Sequence, residues 1–224
     1  MYNSGNEVLT MDSQQQMMKT GTTTIGIICK DGIVLAADKR ATAGNFIADR
    51  NADKIHQISD FMGVTIAGLV SDAQLLVKLI RAELLLKKMR TNKETTVREG
   101  ANLLAGYAYA NIRKMSMLPG IVGFLIGGKD GEGYHLYNIG PDGSVSEVDD
   151  FTSDGSGSVF AFGVLDTLYK KGINLEEGIK LAVKAVNAAL QRDSATGSGL
   201  DIFTITPDGV KKIITKELKT QIEL

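Results

Sequence analysis

Thr22 stands where a polar leader gives way to apolar alternation, in the run from Lys19 to Ile27, KTGTTTIGI. Scission between Gly21 and Thr22 would leave one residue carrying both a hydroxyl nucleophile and a free α-amine to deprotonate it. A hydroxyl is a weak nucleophile unless an adjacent base activates it. An α-amine titrates near about 7.7–8.0, so much of it is free base at neutral pH, whereas a lysine near about 10.4 is not. The same three threonines also suit the start of a β-strand, where Thr is favoured. The local residues leave both roles open.

Other chemistries find little support. His56 and His135 are the two histidines, and Cys29 is the one cysteine. A zinc site needs several such ligands together, so no metal is expected. Neither histidine lies in a context that suggests a Ser-His-Asp triad. Neither a GxxxxGK[ST] phosphate loop nor a strand-turn-helix nucleotide fingerprint occurs, and no cofactor is expected. Cys29, inside the apolar run IGIIC, reads as a small core residue and not a nucleophile. Hydroxyl, amine and carboxylate chemistry remains.

The elements that must position these groups follow from composition and periodicity. A 43% apolar content over 224 residues supports a sizeable core, and 25 glycines against 3 prolines indicate tight turns. We read a leader over residues 1–21 and a single domain over 22–224. The leader lacks the basic start and apolar stretch of a secretory signal and reads as removable. A formal net charge of −1 gives no reason to expect nucleic acid or an anionic membrane as partner. No stretch reaches the roughly 20 apolar residues of a membrane span. A lone cysteine cannot close an internal disulfide, which fits a reducing, cytoplasmic compartment.

From Thr22 the strand signals come in pairs: TTTIGIIC with IVLAAD about the turn KDG, then Lys54 to Ile58 with Met62 to Ala67. Helical spacing of Leu75, Leu76, Leu79, Ile80 and Leu84 predicts a helix over Ser71 to Arg90, with basic residues at its end. A second helix is expected from about Thr96 to Met115, with Val97, Ala101, Leu104, Ala105, Ala108 and Ile112 inward and Pro119 beyond. Strands follow at IVGFLIGG, YHLYNI and SVSEV. Helices over Ser158 to Lys171 and Leu175 to Arg192 come next, the latter started by Asn174 with Glu177 in a capping box. LDIFTIT and KKIIT pair last, about the turn PDG, and a short amphipathic tail closes the chain. Grouped hairpins and helix pairs, rather than βαβ alternation, indicate an α+β fold. The expected architecture is a four-layer α-β-β-α sandwich of two antiparallel sheets flanked by helices.

Six short runs in order, GTTTIGI, AADKR, DKIHQI, TIAGLVSDA, DGSGS and QRDSATG, resemble the proteasome β-subunit family of N-terminal nucleophile hydrolases, archaeal members most of all. The resemblance covers Gly21 to about Thr215. It implies that Thr22 is the nucleophile, freed by self-cleavage of the Gly21–Thr22 bond. Lys54 then matches the lysine beside it, whose cation would lower the pKa of the threonine amine. Asp38 matches the carboxylate that holds that lysine charged; as a plain surface pair the two would contribute only about 0–1 kcal/mol. Gly68 matches the glycine whose N–H faces the developing oxyanion, a donor worth roughly 2.7–4 kcal/mol in acyl transfer, though it also suits a strand-to-helix turn.

Asp193 and Ser156 match residues that hydrogen-bond around the threonine amine and position water. Thr196 stands where the family usually has serine, keeping the hydroxyl and adding a methyl. Thr42 matches a backbone position that pairs with extended substrate. Ala41, Ala52, His56, Ile66 and Val70 match the pocket for the residue before the cut; none is acidic, which implies a preference for hydrophobic side chains. The resemblance further implies stacked seven-membered rings of β subunits with α subunits outside, and an unfolding ATPase that delivers unfolded polypeptide through the α ring. Two alternatives stand beside a threonine protease: a ring subunit that never matures, and an unrelated α+β binding domain in which the threonines only begin a strand. Intact Thr22, Asp38 and Lys54, and whether the leader comes off, separate the protease from the ring subunit that never matures.

Overall fold

The computed structural model describes residues 21–116 and 119–218. The expected leader before Gly21 and the end of the expected tail beyond residue 218 lie outside the described residues. Among them, twelve strands and four helices are formed, and we number both in chain order.

One sheet has the order β10-β1-β2-β11-β12, built from Phe151–Asp154, Thr24–Cys29, Gly32–Asp38, Gly199–Thr206 and Gly209–Glu217. The second has the order β5-β6-β7-β8-β9, from Ile55–Ser59, Met62–Gly68, Val122–Lys129, Tyr134–Ile139 and Val145–Val148. Every pairing in both is antiparallel. A small hairpin, β3 (Ala41–Ala43) with β4 (Phe46–Asp49), stands apart from them.

Alternation along β2 explains why the layers stack as they do. Successive strand side chains point to opposite faces, and all seven residues of GIVLAAD are buried. Val34 and Ala36 join the cluster under α3 (Ser158–Leu168) and α4 (Leu175–Arg192). Ile33, Leu35 and Ala37 face the other way and meet Ile55, Leu136 and Ile205 between the sheets. A strand covered on both faces reads as a continuous apolar run. On the far side, Val122, Phe124 and Ile126 of β7 pack beneath α1 (Val70–Thr91) and α2 (Val97–Ile112). Glycine at 63 and 127 lets the sheets approach closely, because a Cβ at 63 would press on Leu35 and one at 127 on Ile33. The result is the expected four-layer α-β-β-α sandwich.

Local expectations need four corrections. The α1 stripe is narrower than its leucine spacing suggests: Leu76, Ile80 and Leu84 are buried, whereas Leu75 and Leu79 are exposed. Helix α3 ends at Leu168, three residues early, because Tyr169 turns extended. Helix α2 spans only Val97–Ile112, with Thr96 as N-cap in a capping box with Glu99. Finally, β3, β4 and β10 have three or four residues each, too few for a period-2 pattern to register. Asn174 caps α4 with Glu177 as expected.

Candidate active site

Thr22 and Thr23 lead directly into β1, and β2 beside it ends at Asp38, so pairing of the two strands brings Asp38 to the threonines. Asp38 is almost fully buried. Four donors converge on its carboxylate. Oδ1 accepts from the Thr23 N–H at 2.9 Å and from Lys54 Nζ at 2.7 Å. Oδ2 accepts from the Arg40 and Gly197 N–H groups at 3.1 and 2.9 Å. Charge-assisted bonds of this kind are the strong ones, and losing one partner of a buried pair is costly.

Lys54 immediately precedes β5, and its own carbonyl accepts from the Ile66 N–H, which ties it to β6. Burial pushes its ammonium below the ordinary lysine value, while the Asp38 carboxylate works against that shift. The residue therefore both presents positive charge and yields a proton more readily than an exposed lysine. Its Nζ also donates to the Gly21 carbonyl at 3.3 Å.

The Thr22 hydroxyl donates to that same carbonyl oxygen at 2.7 Å. The Thr22 hydroxyl, the Lys54 ammonium and the carbonyl before Thr22 thus lie together. Gly21 itself is seated so closely that a Cβ there would fall 1.7 Å from the Ala195 Cβ. Only a residue without a side chain fits.

A second chain of hydrogen bonds runs under the Thr22 nitrogen. Ser156 Oγ accepts from the Thr22 N–H at 3.3 Å and donates to Asp193 Oδ2 at 2.6 Å. Thr196 Oγ1 donates to the same carboxylate oxygen at 2.5 Å, and the Thr23 hydroxyl lies 2.6 Å from Thr196 Oγ1. With the Thr196 proton committed to Asp193, Thr23 is the donor of that last bond. Asp193 caps the end of α4, and Ser156 lies in the turn between β10 and α3. Arg40 clips the 193–197 turn in place through Nη1 to the Ser194 carbonyl at 2.9 Å.

Gly68 closes β6 with φ of +127°, and a Cβ would lie 2.2 Å from the Ile121 carbonyl oxygen, so glycine is required. Helix α1 starts two residues later with no side-chain cap. Its free N–H groups and positive dipole end therefore stand at the wall of the site. A small cavity of about 20 Å³ is lined by Gly21, Thr22, Lys54 and Gly68, together with Ala41, Ala52, Asp53, Ile66 and Val70.

Of the expected pocket residues, Ala41, Ala52, Ile66 and Val70 share this cavity. His56 does not; it lies half-buried in β5, held below the ordinary histidine value by burial and by Arg81. Thr42 touches the site through its side chain, which accepts the Gly21 N–H at 2.9 Å. Asp53 was missed and is acidic, although its carboxylate is 70% exposed and 3.8 Å from Lys212. Thr23, Arg40 and Ala195 were also missed. The TTT run could have flagged Thr23, but a strand explains it equally well. Elsewhere, His135 sits between Asp130 and Glu147 on β8, away from these groups. Burial together with the Asp31 and Glu177 charges pushes the Cys29 thiol up to about 12.

Two antiparallel sheets between helix pairs, with a threonine at the head of the first strand, make up the N-terminal nucleophile hydrolase fold. Within that class the chain belongs to the proteasome subunit family, whose model matches residues 18–205. It is 43% identical to the proteasome subunit beta of Ferroglobus placidus over 203 residues, 91% of this chain and 95% of the relative. The same identity holds for the proteasome subunit beta of Methanohalophilus mahii over 217 residues, 95% and 99% of the two chains. That of Archaeoglobus fulgidus is 44% identical over 202 residues, 88% and 91% of the two chains. Among the described residues no helix is long and apolar enough to cross a membrane.

Proposed function

We propose that this chain is a proteolytic proteasome β subunit of the threonine type, made as a precursor and activated by its own Thr22. The observation that carries the proposal is the convergence of the Thr22 hydroxyl and Lys54 Nζ on the Gly21 carbonyl, at 2.7 and 3.3 Å. In the precursor Thr22 has no free amine. Lys54, lowered by burial, is the group placed to accept the hydroxyl proton.

Oγ1 bonds to the Gly21 carbonyl carbon and the Gly21–Thr22 C–N bond breaks. The hydroxyl proton ends on the departing nitrogen, leaving an ester and a free amine. Water then hydrolyses the ester, releasing a Gly21 carboxylate and restoring the Thr22 hydroxyl. In the mature chain the freed amine, beside Ser156 and the Lys54 charge, is the base for the same hydroxyl. Attack on a substrate carbonyl gives an acyl-enzyme that water resolves. Gly68 and the start of α1 supply N–H groups for the oxyanion.

Ala41, Ala52, Ile66 and Val70 favour hydrophobic side chains before the cut. Asp53 supports a second preference, for basic side chains, which its exposure and the nearby Lys212 weaken. The large side chains that α1 leaves exposed, Leu75, Leu85 and Met89 among them, suit burial against other subunits. We assign the chain to a seven-membered β ring between α rings, fed with unfolded polypeptide by an ATPase in the cytoplasm.

Two measurements test this. Intact mass of the assembled wild type is expected to start at Thr22, and the Thr22→Ala variant is expected to keep its leader; leader retained in fully assembled wild type favours a ring subunit that never matures. Peptides with Leu or Tyr before the cut are expected to outpace those with Arg or Asp. Faster cleavage after Arg would transfer the specificity to Asp53.

A further inference from the structure

Thr42 lies in β3, where its hairpin partner is Ile47 and the pairing with β4 is irregular between positions 41 and 42. Its side chain is buried. The hydroxyl oxygen accepts the Gly21 N–H at 2.9 Å in a fully buried hydrogen bond. Gly21 is the one residue of the described chain that leaves when Thr22 is freed, so this bond belongs to the precursor alone. It holds the amide on one side of Gly21, while Thr22 Oγ1 and Lys54 Nζ hold the carbonyl on the other. Ala195 closes the Cα side.

A glycine has the widest φ/ψ freedom of any residue, so its carbonyl does not stay aimed at a nucleophile on its own. Fixing the amide and the Cα face leaves few rotations for the carbonyl. We infer that the Thr42 hydroxyl is a positioning residue for leader removal, orienting the Gly21 carbonyl for attack by Thr22. The inference rests on Thr22 being the self-cleaving nucleophile. It assigns Thr42 a side-chain role before maturation, distinct from any backbone pairing with substrate afterwards.

The test follows leader loss by intact mass over time in full-length chains carrying Thr42→Val, Thr42→Ser or Thr22→Ala, with thermal unfolding as a check on folding. Valine keeps the shape and β-branching of threonine and removes the acceptor, leaving the Gly21 N–H buried without a partner. A slowing of about tenfold or more is expected. Serine restores the oxygen and is expected to stay within about threefold of wild type, a rescue that a merely space-filling threonine would not give. Should the valine chain not fold, Thr42→Ala against Thr42→Ser asks the same question with the methyl absent from both.

Wild-type leader loss in the valine chain, or serine as slow as valine or alanine, overturns the inference. These outcomes leave the nucleophile assignment standing as long as Thr22→Ala keeps its leader. Leader loss from Thr22→Ala sinks the nucleophile assignment itself.

Discussion

Replacing Asp38 by Asn tests how the centre is held together. The substitution keeps shape and volume but swaps one carboxylate oxygen for an NH2 group. If the amide oxygen stays toward Lys54 and the Thr23 N–H, the NH2 faces the Arg40 and Gly197 N–H groups, at positions now 3.1 and 2.9 Å from an acceptor. Donors then face donors. Flipping the amide merely moves the conflict to Lys54 and Thr23. Either way two buried donors lose their acceptor, at about 1–3 kcal/mol each. Lys54, about 95% buried, also loses its counter-charge, and breaking a buried pair costs roughly 3–5 kcal/mol. These overlap, so about 3–5 kcal/mol is the expected total.

For a domain of this size each kcal/mol shifts Tm by roughly 2–4 °C, so the midpoint should fall by about 10 °C. Leader loss and peptide turnover should fall as well, by at least about a hundredfold, because Lys54 is no longer held against Gly21 and Thr22. The assay pairs a thermal melt with kcat on a fluorogenic peptide, measured well below the variant's midpoint. A Tm within about 2 °C of wild type together with turnover within about twofold would refute the reasoning.

Three further outcomes follow. Gly21→Ala should leave the leader attached, because the added Cβ lands on Ala195; intact mass decides it, and complete processing contradicts the tight seat. Leader loss should accelerate with pH by about tenfold per unit on its acid side. Burial disfavours the Lys54 cation, so the midpoint of that limb should lie below 10.5, and a rate indifferent to pH between about 5 and about 9, the range below the roughly 10.4 of a free lysine, removes Lys54 as proton acceptor. Cys29, with its thiol at about 12, should resist alkylation at neutral pH by about a thousandfold relative to the denatured chain. Equal labelling of the two contradicts its burial.

Much of the layer order was legible because β2 and β7 are covered on both faces and carry long apolar runs, while α4 announces its start through Asn174 and Glu177. The α1 face was less so. Leu75 and Leu76 are neighbours in sequence and chemically alike, and only the position of the sheet decides that Leu76 goes in and Leu75 stays out. In the site, Asp38 and Lys54 sit in short motifs and could be named. Ala195 could not, because it matters only through Gly21 pressing on it; Thr23 lay in view in the TTT run, but a strand explains that run equally well, and its contacts come from the segments that carry Asp38 and Thr196. Asp53 escaped for the opposite reason, being an ordinary charged residue until a cavity forms beside it.

The central claim is that the Thr22 amine, once exposed, serves as the base for its own hydroxyl. Selective acetylation of that amine in the assembled, processed protein, with kcat measured before and after, tests it most directly. Loss of turnover in proportion to the acetylated fraction is the result expected. Unchanged kcat in a fully acetylated sample would contradict the account.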